Sequence, residues 1–241
     1  MMFKAILFDL DDTLLGNEMD HFLPGYFELL GQFAERYLPR DQFLQELMIC
    51  TEAMIRNVDP ALSNREVFWQ RFEQRTGLDS AKMEPFFEQF YRHQFHQLQG
   101  RTEKRPFAPQ LVQFCLDHNL DVVVATNPLF PRIAIEARLD WAGLPVDAYN
   151  FALVTAYENM HAAKPQPAYY AEILDKIGCQ PAQALMVGND WENDILPARS
   201  LGIHTYWLSL DGTPPPDEVQ VAYGRTLQDV YTFLAAQLAF E

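Results

Sequence analysis

One stretch near the N-terminus limits what this chain can fold into: Lys4-Ala-Ile-Leu-Phe-Asp-Leu-Asp-Asp-Thr-Leu-Leu15. Ala5 to Phe8 form a short apolar run, the pattern of a strand buried in a parallel sheet. The run then breaks into Asp9, Asp11 and Asp12. Ligands of open α/β sheets bind beyond the carboxyl ends of strands, so Asp9 and Asp11 fall where a ligand would sit. They are two residues apart, which in extended chain predicts that both carboxylates point the same way. Two like charges held so close are costly unless a cation neutralises them or one is protonated. A hard divalent ion such as Mg²⁺ suits carboxylate oxygens.

After Leu15 the periodicity becomes helical. Phe22, Tyr26, Leu29, Leu30 and Phe33 follow helix spacing, as do Phe43, Leu44 and Leu47, then Val67, Phe68 and Phe72, then Met83, Phe86, Phe87 and Phe90. No convincing strand is predicted between about Asn17 and Lys104. An α/β rhythm resumes near Pro106. Strands are predicted at Asp121–Ala125, Phe151–Val154, Ala184–Val187 and, last, His204–Leu208. Helices are predicted at Pro109–His118, Arg132–Leu139, Pro167–Ile177 and Ile195–Leu201, with a closing amphipathic helix around Leu227, Val230 and Leu234. The expected fold is a Rossmann-like, doubly wound parallel sheet of residues 1–16 and 105–241, with an all-helical insertion at 17–104.

Polar residues recur where those strands end: Asp9 and Asp11, Thr126 and Asn127, and Asn189, Asp190 and Asp194, with Lys164 in a loop. In a parallel sheet such ends share one edge. A nucleophile, a hydroxyl, a cation and metal ligands gathered there fit phosphoryl transfer, which depends on positioning and charge neutralisation.

The order Asp9-x-Asp11-x-Thr13, Thr126 after a strand, Lys164-Pro-x-Pro, and Gly188-Asn-Asp-x-x-x-Asp194 resembles the haloacid dehalogenase superfamily, in the branch with a helical cap inserted after the first motif. The resemblance implies a cytoplasmic, Mg²⁺-dependent phosphatase acting on a small phosphorylated metabolite. Asp9 would attack phosphorus and form an aspartyl-phosphate. Asp11 would serve as general acid and then general base. Thr126, Asn127 and Lys164 would hold the phosphoryl oxygens, with Lys164 also paired to Asp9. Mg²⁺ would lie on Asp9, the Asp11 backbone carbonyl and an acid of the last motif, with Asp194 anchoring the loop. Many relatives have Gly-Asp where this chain has Gly188-Asn189-Asp190. Asp190 is therefore expected as the direct ligand, and Asn189, a weaker partner for a hard cation, is the alternative. An acid at position 11 favours phosphate esters over haloacids, because an alkoxide leaving group needs a proton and a halide does not. A phosphomutase, a dehalogenase and an inactive ligand- or partner-binding protein remain the competing readings.

Composition narrows the partners. A formal charge of −15 argues against nucleic acid and anionic membranes. Three scattered cysteines suggest no disulfide framework and a reducing compartment. The first apolar run is too short for a signal peptide and ends in three acids, and no stretch reaches the ~18 apolar residues of a membrane span. Asp12 is expected to cap the next turn. His161 is expected on a surface loop, and His93-x-x-His96 offers too few ligands for a metal site. Gly16 to Asp20, at the hinge, is expected to contribute to the site from the cap side.

Overall fold

The computed structural model describes residues 3–238; the outermost parts of the expected core, 1–2 and 239–241, lie outside them. Six strands form one parallel sheet: β1 (Ala5–Phe8), β4 (Asp121–Val124), β5 (Leu153–Val154), β6 (Ala184–Gly188), β7 (His204–Leu208) and β8 (Ala222–Gly224). Their spatial order is β5-β4-β1-β6-β7-β8. The chain therefore winds outward from β1 through β4 and β5, then returns to β1's other side at β6. That reversal is the topological switch point, and β1 and β6 flank it.

Strand geometry sets the layers. Ile6, Phe8, Val122, Val124, Leu185 and Val187 pack in one buried cluster. The alternate residues Ala5, Leu7, Val123, Ala184 and Met186 pack in another. Successive side chains leave a strand on opposite faces, so each β-rich run feeds both layers. α5 (Ala108–Asp117), α6 (Arg132–Ala142) and α9 (Leu227–Leu238) contribute to the first cluster. α7 (Pro167–Ile177) and the short α8 (Leu196–Ser200) contribute to the second.

Between β1 and α5 lie four helices: α1 (Met19–Ala34), α2 (Arg40–Ile55), α3 (Asn64–Thr76) and α4 (Ser80–His93). The start of α3 is set by a capping box, in which Ser63 and Glu66 satisfy each other's backbone donors. Gly77 ends it with a left-handed φ of 71°. The apolar faces of these helices join the first cluster, so the helical cap packs as an extension of one face of the core.

Three strands escaped the sequence reading. β2 (Leu15–Gly16) and β3 (Glu103–Lys104) pair antiparallel where the chain enters and leaves the helical segment. β3 thus lies inside the span expected to hold no strand. β8 follows β7, which was expected to be the last strand. Runs of two or three residues are too short to show a period of two.

Candidate active site

The backbone of Asp9 extends the β1 ladder by one bond, donating its N–H to the Val187 carbonyl at 2.9 Å. The chain then coils: the N–H groups of Thr13 and Leu15 both donate to the Leu10 carbonyl. Both acids line one cavity, each with its own partners. Asp9 is held from the α7–α8 side, where Lys164 Nζ donates to its Oδ1 at 2.7 Å. Asp11 is held by α6, where Arg138 Nη1 donates to its Oδ2 at 2.5 Å, and by Asn17 Nδ2, which donates to its Oδ1 at 2.6 Å. Asp12 sits at φ 58°, a left-handed conformation that Asp tolerates. Its Oδ1 accepts from Asn17 N and from Arg105 Nη2, so it caps the turn and ties it to the chain leaving β3.

Lys164 is 3% exposed and donates a second bond, to Asp194 Oδ1 at 2.6 Å. Asp194 Oδ2 in turn accepts from the Asp190 N–H. Gly188 makes room for this acid, because a Cβ there would lie 2.5 Å from Asp194 Cγ. One cation thus serves two buried carboxylates. Burial pushes the Asp9 carboxyl up to about 7; Lys164 works against that, and the charges of Asp194 and Asp11 reinforce it. Burial raises Asp194 as well, against the pull of Lys164. For Lys164 burial acts to lower the value, but Asp194 and Asp9 outweigh it and hold the ammonium well above the usual lysine range.

Thr126 and Asn127 follow β4. Thr126 is buried, its carbonyl accepts from Tyr169 and Thr155, and its own hydroxyl has no protein partner among the described residues. Asn127 Oδ1 accepts from the Lys164 N–H at 3.2 Å. Beyond β6, Asn189 Oδ1 accepts from the Thr13 hydroxyl. Asp190 caps a single π-helical turn, Trp191–Ile195. Its Oδ1 accepts from the N–H groups of Glu192 and Asn193, and its Oδ2 accepts from Asn193 Nδ2. A carboxylate offers about four acceptor sites, so the cap leaves Asp190 some capacity on Oδ2.

All eight residues named from the sequence (Asp9, Asp11, Thr126, Asn127, Lys164, Asn189, Asp190 and Asp194) line one cavity of about 970 Å³. The histidines do not line it: His161 bonds Glu172 on the far side of the Lys164 loop, and His96 packs near Trp141. Among the described residues no three His, Cys, Asp or Glu side chains are grouped to hold a metal. The arrangement still fits a hard cation, with donors of mixed kind. Asp9 Oδ2 has no protein donor among the described residues, two amide and acid oxygens lie at positions 189 and 190, and carboxylates outnumber the single lysine. Burial is the main cause of the raised Asp9, and the charges of Asp194 and Asp11 add to it.

One residue at the site was not foreseen: Arg138 is 1% exposed, lies over the Phe130 ring at 4.7 Å and pairs with Asp11. Asn17, in the segment expected to contribute from the cap side, is fully buried. Among the described residues Arg138 Nη2 and Asn17 Oδ1 have no hydrogen-bond partner. The signal for Arg138 was in the sequence: a charge in register with Ala134 and Ala142, the buried stripe of α6.

A family model for haloacid dehalogenase-like hydrolases matches residues 3–202. The chain belongs to that family. This haloacid dehalogenase-like hydrolase is 27% identical over 240 residues to a phosphoserine phosphatase of Thermus thermophilus, covering 89% of this chain and 91% of the relative. It is 27% identical over 200 residues to a phosphoglycolate phosphatase of Haemophilus influenzae, covering 83% of each. Its fold is that of a 2-haloacid dehalogenase from Pseudomonas syringae, with a TM-score of 0.65 at 21% identity, over 98% of this chain and all of the other.

Proposed function

We propose that this hydrolase is a Mg²⁺-dependent phosphatase that cleaves a phosphate monoester through an aspartyl-phosphate on Asp9. The observation that carries the reading is the buried Lys164 bonded to Asp9 at 2.7 Å, with an acid at position 11 on the same cavity. The two relatives named as phosphatases support it.

In this reading the Asp9 carboxylate is the attacking group, one of its oxygens paired with Lys164 and the other without a protein donor among the described residues. Lys164 keeps Asp9 ionised and, with the Thr126 hydroxyl and the Asn127 amide, holds the phosphoryl oxygens. Asp11 turns from Arg138 toward the leaving oxygen, gives it a proton, and later takes one from the hydrolytic water. Asp194 fixes Lys164 and the loop at Asp190. Mg²⁺, held by Asp9, the Asp11 carbonyl and an oxygen of Asp190 or Asn189, would neutralise the carboxylates and the phosphate as they meet. Residues 1–16 and 105–241 are the core in this account. Residues 17–104 are the cap, hinged where β2 and β3 cross, and its closure excludes water during phosphoryl transfer. Three buried free cysteines fit a cytoplasmic protein.

The test is phosphate release from p-nitrophenyl phosphate with and without Mg²⁺. The reading predicts turnover that EDTA abolishes and that Asp9→Asn removes while the fold persists. Halide release from a haloacid without metal would favour the dehalogenase instead.

A further inference from the structure

The catalytic groups make up only part of the lining of the 970 Å³ cavity; the rest comes from the helices of the cap and from the core segments around Phe130, Arg132 and Tyr157. That volume is near the upper end of small-molecule sites, about 300–1,000 Å³. Its walls are aromatic: Tyr26, Phe43, Trp69, Phe72, Phe87 and Phe130 all face it. The first five are buried, and Phe43 and Phe87 stack with ring centroids 5.2 Å apart.

The charges on this half favour no second anionic group. Each of its two cations already pairs with a glutamate. Arg65 bonds Glu84 through Nε at 2.5 Å and Nη2 at 2.6 Å, and Arg132 Nε bonds Glu136 at 2.6 Å. Glu88, itself paired with Arg92, and Glu158 also line it. A leaving group bearing a carboxylate would meet four glutamates and only two arginines, each already paired with one of them. Apolar surface, in contrast, would lose its water against the rings.

We propose that the substrate is the phosphate monoester of a neutral, apolar alcohol or phenol, large enough to lie along the aromatic half of the cavity while its phosphate reaches Asp9. This deepens the phosphatase reading above and rests on it. The cap then selects by buried apolar area, and the free energy of that contact draws the ester oxygen into place beside Asp11. The carboxylate-bearing esters for which the two phosphatase relatives are named would be poor substrates here.

The experiment is a series of n-alkyl phosphates from propyl to octyl, with phosphoserine, phosphoglycolate and acetyl phosphate beside them, on the full chain with Mg²⁺. The proposal expects kcat/KM to climb about fourfold per methylene, on the order of a thousandfold across the series, with octyl phosphate above both carboxylate esters. A flat series, or a preference for phosphoserine or phosphoglycolate over octyl phosphate, overturns it. Acetyl phosphate separates the two levels of the argument, because its leaving group is too small to reach the helices. Phosphate release from it with a flat alkyl series sinks the substrate class alone; no release from any compound sinks the phosphatase reading. Binding supplies a readout without turnover. Trp69 is the tryptophan on the lining, and its fluorescence should report octylphosphonate binding far tighter than ethylphosphonate. Equal affinity for the two phosphonates contradicts the proposal even if no ester is hydrolysed.

Discussion

At the floor of the cavity the buried acids Asp9 and Asp194 each lie within hydrogen-bond reach of the buried Lys164. Along its walls Phe43, Trp69, Phe72 and Phe87 meet ring to ring. The floor is held by charge pairing, which fails when one member is removed. The walls are held by area and shape, which survive a swap of similar volume. Floor and wall should therefore answer mutation differently: one by loss of chemistry or of the fold, the other by a change in which ester is accepted.

Asp9→Asn should give the largest effect. We expect kcat to fall by at least ~10⁴, the scale of losing a nucleophile. The melting temperature should hold or rise near neutral pH, since the change removes a buried carboxylate whose pKa is already pushed up to about 7. Steady-state kinetics and thermal denaturation on one preparation check both halves. Asp11→Asn should lower kcat by about 10²–10⁴, the range for a general acid–base. The same substitution keeps an acceptor for Arg138, so circular dichroism should show a folded protein.

Lys164→Met leaves two buried acids without a counter-ion. Breaking such a network costs about 3–5 kcal/mol, readable as a lower urea midpoint, and activity should vanish with it. Proton linkage gives the next effect. The folded Asp9 titrates near 7, above its ordinary 3.8. Between those values the native state keeps a proton that the unfolded chain has released. The contribution of Asp9 to metal-free stability should thus be full below pH 4 and be lost as pH rises through 7. Mg²⁺ binds the ionised form, so it should raise the melting temperature more at pH 8 than at pH 5. A metal effect independent of pH would count against Asp9 as a ligand. The smallest change belongs to the wall: Phe87→Leu should cost about 1 kcal/mol and flatten the dependence on alkyl length. If it instead abolished turnover, floor and wall would not be separable.

Sequence reading served the floor better than the wall for a physical reason. Asp9, Thr126 and Asn189 stand out because each breaks or follows an apolar strand, and a parallel sheet brings strand ends together. Lys164 was legible through its place in an ordered set. Arg138 stands out in sequence only as a charge in the apolar stripe of α6; its pairing with Asp11, 127 residues away, is made by packing and was not legible. The turn that follows Leu10 depends on two bonds to one carbonyl, which no spacing rule contains. The cap helices were legible as helices, but a phenylalanine repeating every three or four residues looks the same whether it meets another ring or an open cavity. Asp190 shows a further limit: the acid expected on the metal also caps the turn that follows.

Arg138 Nη2 and Asn17 Oδ1 hold buried polar capacity with no partner, each at a cost of about 1–3 kcal/mol. Both sit beside Asp11, the one acid whose proposed role requires it to turn. A tightly packed floor with a loosely satisfied corner is what a catalytic acid that changes partners needs.

The most direct measurement is a rapid acid quench of enzyme turning over a phosphate ester, followed by peptide mass mapping. The account predicts a phosphoryl group on the peptide containing Asp9, formed and lost at the rate of turnover. Turnover with no phosphorylated peptide, or with the phosphoryl group on any other residue, would contradict it.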